Sequence, residues 1–121
     1  MKKISCLILL AASLSTPAWA ACNYPAAPAK LPDGATSSRD DMVAGKKLVE
    51  TYNNDMNAYL GCIKKEYDES VAKQAASLTE EQKQQMAARY TAKNDAAVDE
   101  LQGVASRFNE QLRAFKAKSA K

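Results

Sequence analysis

The chain predicts an all-α fold: a two-helix antiparallel coiled-coil hairpin, with an extended proline-rich N-terminal strip pinned to it by a disulfide. Three observations carry that expectation. Met42, Val49, Met56 and Ile63 repeat every seven residues, the spacing of a helix built to lie along another helix. A second apolar series downstream falls into register with the first when the chain folds back at Leu78-Thr79. Two cysteines, Cys22 and Cys62, flank the start of the first helix.

The first helix is expected over about 39–76. Ser37-Ser38 gives a start signal, and Ser38-x-x-Asp41 has the form of a capping box with Asp in place of Glu or Gln. No proline occurs from there to about Ala76. Within this stretch the seam is read as Met42, Val49, Tyr52, Met56, Tyr59 and Ile63, with Gly45 at a thin point. So long a helix needs a partner, because it far exceeds the average globular helix.

The second helix is expected over about 80–117. Thr79-Glu80-Glu81-Gln82 matches the capping box, with two acids at the positive end of the helix dipole. Its seam is read as Val98, Leu101, Ala105, Phe108, Leu112 and Phe115. In an antiparallel hairpin, facing positions have a constant index sum. A single value sets Met42 against Phe115, Gly45 against Leu112, Val49 against Phe108, Tyr52 against Ala105, Met56 against Leu101 and Tyr59 against Val98. Towards the turn Ile63 faces Asn94, and Tyr67 and Val71 drift off the heptad towards Tyr90 and Met86, so that end is expected to be wetter and more mobile.

Residues 1–20 read as a secretory signal peptide. Lys2 and Lys3 precede an apolar run, and Ala18-Trp19-Ala20 closes it as an A-x-A cleavage site. A lipoprotein reading with Cys22 acylated is weaker, since Trp19 stands where a bulky aliphatic residue is expected. Cleavage after Ala20 removes Cys6 and leaves Cys22 and Cys62 as an even pair in an oxidising compartment, periplasmic or secreted. It also reduces 17 basic residues to 15, against 14 acidic ones.

Residues 21–38 form the strip, with Pro25, Pro28 and Pro32 and a turn expected at Pro32-Asp33-Gly34. A bond from Cys22 to Cys62 requires this strip to double back along helix 1. Cys62 sits about 35 Å along that helix, and the strip can reach about 50 Å. Tyr24 and Leu31 are then placed to cover a groove edge.

Catalytic chemistry finds little support. The chain has no histidine, no C-x-x-C, no phosphate-binding glycine loop and no metal-ligand cluster. We therefore expect a non-enzymatic protein with no cofactor and no metal. Glu66, Asp68 and Glu69 fan outward, as do Asp95, Asp99 and Glu100, and both groups read as solvated faces. A small-ligand slot beside Gly45, Tyr52 and Ala105 is a minor alternative to core packing. The expected mode of action is contact with an unknown protein partner or homodimerisation, with Leu48, Leu60, Tyr67 and Val104 as candidate contacts. The alternative is binding to an anionic envelope surface, lipid or polymer, through Arg107, Arg113, Lys116, Lys118 and Lys121, the last two within a basic tail over 118–121. Cations at a helix C-terminus are also explained by the dipole alone. No nucleic-acid partner is expected, and nothing after the signal is apolar enough to span a bilayer.

Cys22-x-x-Pro25, Pro32-Asp33-Gly34, Met42, Tyr52 with Tyr59, Cys62, Arg107-Phe108-Asn109 and Arg113-x-x-Lys116 together resemble a group of small exported helical proteins of Gram-negative bacteria, to which no activity is attached. The resemblance implies a periplasmic or secreted address and supplies no reaction.

Overall fold

The computed structural model describes residues 22–121, so the signal-peptide reading of residues 1–20 lies outside the described residues. Two helices account for most of that span: α1, Arg39–Gln74, and α2, Glu80–Ser119. Both start as the sequence reading has them. Ser38 accepts from the Asp41 amide at 3.1 Å while the Asp41 carboxylate accepts from the Ser38 amide at 2.9 Å. Thr79 and Gln82 exchange the same pair of bonds at 3.2 and 2.9 Å. Each box satisfies two N–H groups that a helix start otherwise leaves orphaned. The Ser38 bonds also hold the Asp41 carboxyl below its ordinary range. α1 ends two residues earlier than expected, where Ser77 and Leu78 amides both donate to the Gln74 carbonyl and close the link to α2.

The helices pack side by side as an antiparallel hairpin. Near the turn, Tyr67 stacks on Tyr90 with ring centroids 4.9 Å apart, at the register read from the sequence. At the open end the Phe108 ring reaches the level of Gly45, four residues before its assigned partner Val49.

The strip runs back along the hairpin. Cys22 and Cys62 are joined, with Cα atoms 5.7 Å apart across 40 residues. Ten residues later Pro32 lies against Gly45, on the same helix but nearly five turns nearer its start. The turn that follows is built on Asp33: its carbonyl accepts from the Thr36 and Ser37 amides, and its carboxylate from the Ala35 amide at 2.9 Å. An Asx turn of this kind is a local alternative to regular structure that Asp favours. It begins one residue later than the expected Pro32-Asp33-Gly34 turn.

The core is narrow. Tyr52, Met56, Tyr59, Ile63, Ala97 and Val104 form one buried cluster, with Cys22 and Ala27 of the strip packed against it. Met42 and Phe108 are also buried. Of the α2 residues read as the seam, only Phe108 is buried; Val98, Leu101, Ala105, Leu112 and Phe115 are half-buried. Ala97 and Val104 take the fully covered places instead. The cause is the strip, which covers one side of the helix–helix seam and shifts burial on α2 towards that side. Between Ile63 and Ala97, the part of the hairpin nearest the turn, no residue is fully buried.

Candidate functional site: two unequal sides of the seam

On the covered side, α1 supplies Gly45, Tyr59 and Cys62, and α2 supplies Glu100, Val104 and Gln111. The Tyr24 ring meets Tyr59 edge-on at 4.9 Å and 72°, and its hydroxyl donates to Glu100 at 2.5 Å. That bond, with a smaller contribution from desolvation, pushes the Tyr24 phenol well above its ordinary range. The Gly34 amide donates to the Gln111 side chain at 2.9 Å. Gly34 lies so close to α2 that a Cβ there would overlap the Gln111 carbonyl. A Cβ on Gly45 would fall 2.5 Å from Pro32. Both positions require glycine because backbones, or a backbone and a proline ring, approach too closely for any side chain.

These contacts correct two expectations. The slot proposed beside Gly45, Tyr52 and Ala105 does not form, because Pro32 occupies the space at Gly45 while Ala105 faces the other side of the seam. Val104 is not a surface contact, since it is 0% exposed in the main cluster. Leu48, Leu60, Tyr67 and Val104 do not share a face. Leu48 lies beside the strip with Leu31 and Pro32, and Tyr67 is engaged by Tyr90.

Tyr52 is 3% exposed and its hydroxyl is buried without a hydrogen-bond partner. Burial, with the nearby Glu100 carboxylate adding to it, raises this phenol above its ordinary range. Glu100 was read from sequence as part of a solvated face. Its role, like that of Gln111, follows only from the path of the strip: once Cys22 sits at Cys62 and Pro32 at Gly45, the row Glu100, Val104, Gln111 is the one that faces it.

The other side of the seam is open. Val49, Glu50, Asn53 and Asn54 of α1 and Leu101 and Ala105 of α2 line a cleft of about 400 Å³. Its apolar members are half-buried, and among the described residues no segment of this chain lies over it.

The C-terminal cations are exposed but do not form one patch. At about 100° per residue, Arg107, Arg113, Lys116, Lys118 and Lys121 fan around the axis rather than lining one face. Lys118 is held internally: its ammonium donates to the Ser37 carbonyl at 2.6 Å and lies 5.0 Å from the centre of the Phe115 ring. The carboxylates towards the C-terminal end of α1 pair locally, Asp68 with Lys64 at 2.6 Å and Glu69 with Lys65 at 3.8 Å. Among the described residues no three cysteine or carboxylate side chains converge to hold a metal ion, and no helix is long and apolar enough to cross a membrane.

Comparison with protein-family models, with curated proteins and with solved structures found no match to this chain.

Proposed function

We propose that this chain is a non-enzymatic helical-hairpin protein that is exported, loses residues 1–20, and works by protein–protein contact through the open side of its seam. The observation that carries this reading is the asymmetry of the hairpin. One side is sealed by the strip and a disulfide, while the side bearing Val49, Leu101 and Ala105 is left half-buried. Two long helices alone bury too little apolar surface for secure stability. A covering on the open side would complete the core as the strip does on the other. The strip also fixes the α1–α2 geometry in advance, so a partner would bind a preformed groove at lower entropic cost.

The test is site-specific photo-cross-linking in intact cells. A photoreactive residue at Ala105 is expected to give adducts with protein, and one at Lys47, on the outer face of α1, is expected to give none. Equal labelling at both sites, or none at Ala105, would remove the reading. Sequencing of the exported form is expected to begin at Ala21.

A further inference from the structure

We infer that Tyr67 and Tyr90 form a site of oxidative cross-linking. A haem peroxidase fed with hydrogen peroxide joins the two rings there as dityrosine, and so staples α1 to α2 near the turn. The ring centroids lie 4.9 Å apart and the planes are 13° from parallel, an offset stack. Phenoxyl radicals couple face to face, because the unpaired electron at each ortho carbon occupies a lobe perpendicular to the ring. A near-parallel stack brings such lobes together, and an edge-on pair does not. Tyr24 and Tyr59 have the same 4.9 Å separation but meet at 72°. Access selects the same pair. Of the five tyrosines in the chain, Tyr52 and Tyr59 are only 3% and 9% exposed. Tyr24 is open to solvent, yet the ring it touches is the buried Tyr59. Tyr67 and Tyr90 are both half-buried, and both line a surface cleft of about 120 Å³ together with Glu66, Met86 and Arg89.

The step balances on a single molecule of hydrogen peroxide. Each phenol gives up one electron and its hydroxyl proton, and the peroxide takes both pairs and leaves as two waters. A bond forms between an ortho carbon of each ring. The C–H bonds at those carbons break, and their protons return to the phenol oxygens. The product is the chain less two hydrogens, with both hydroxyls intact. Met86 marks the competing chemistry in the same cleft: peroxide acting alone adds oxygen to a thioether and makes no cross-link. The place of the bond gives it a consequence. It falls in the part of the hairpin where no residue is fully buried, beyond Cys62 and the reach of the strip. A covalent loop through the turn restricts the opened state there, as the disulfide does at the covered end.

The experiment treats the dilute, disulfide-intact protein with hydrogen peroxide and a haem peroxidase, then reads mass, dityrosine fluorescence and tryptic peptides. The expected product is a single chain lighter by two hydrogens, in which peptides 66–73 and 90–93 are recovered as one linked species. Tyr67→Phe and Tyr90→Phe keep a ring at each position, so both are expected to retain wild-type helicity by circular dichroism. Each is expected to abolish the linked species, while Tyr24→Phe leaves its yield unchanged. Amides around the turn are expected to exchange about tenfold or more slowly in the linked chain. Coupling only between molecules, a link through Tyr24, or oxygen added at Met86 with no linked peptide overturns the inference. So does an equal yield of the same link from the urea-unfolded chain, since the stack would then select nothing.

Discussion

Tyr52 sits at the centre of the buried cluster with a hydroxyl that has nothing to bond. A buried hydroxyl without a partner costs desolvation energy and returns none. Tyr52→Phe keeps the ring and removes that penalty. Its expected effect is neutral to about 1 kcal/mol stabilising in a denaturant titration, whereas Tyr24→Phe, which loses the bond to Glu100, is expected to cost up to about 1 kcal/mol. The same two phenols give a signed pH dependence. Both are raised in the folded state, Tyr24 chiefly by its bond to Glu100 and Tyr52 chiefly by burial. Their contribution to stability is therefore complete below about pH 10, the ordinary tyrosine value, and is lost as pH rises through the folded-state values. Ultraviolet difference titration is expected to show a late-ionising fraction of tyrosine that moves to the ordinary range on denaturation.

At the scale of elements, the glycines separate helix propensity from packing. Gly103 lies in α2 with only the Arg107 side chain near, 3.7 Å from where a Cβ would be. Gly103→Ala is expected to stabilise by roughly 0.5–1 kcal/mol, the ordinary helix preference for Ala over Gly. Gly45→Ala gains the same propensity but drives a methyl into Pro32, and overpacking of that kind costs about 1–3 kcal/mol. The net expectation is destabilisation, with faster proteolysis of the strip as the readout that a helix-only effect would not move. The contrast also marks what was legible beforehand. The helices, their capping boxes, the strip's return path and the Tyr67–Tyr90 register could be read from local signals, because each depends on spacing and on one or two residue types. The face that α2 turns inward could not. An apolar series at steps of three and four defines a stripe, but Val98 with Ala105 and Ala97 with Val104 are adjacent rows of similar apolarity. Which row is buried was decided by the strip, an irregular segment with no periodicity to reveal where its side chains point. Glu100 and Gln111 went unrecognised for the same reason, as polar residues whose partners come from the far end of the sequence.

For the molecule as a whole, stability is unevenly spread along the hairpin, and the disulfide sits near the boundary. Every fully buried residue of the helices lies between Met42 and Ile63 or between Ala97 and Phe108, the half that the strip covers. Beyond Cys62 the helices rely on the Tyr67–Tyr90 stack and half-buried contacts. Amide exchange is therefore expected to be fastest around the turn and slowest near Met56 and Val104, since local opening follows the density of buried contacts. Replacing both cysteines by serine tests how far the two halves depend on one another. The lost cross-link spans 40 residues, worth about 4 kcal/mol on the chain-entropy account. That is a large part of what a chain of this size has to lose. If the strip serves only as a tether, the double variant lowers Tm and leaves the relative exchange pattern intact. If, as the packing of Cys22 and Ala27 on the main cluster implies, the strip is half of the covered core, reduction also raises exchange at Tyr59, Ile63, Ala97 and Val104 more than near the turn. The second pattern is the expected one, because those four residues have no other cover on that side.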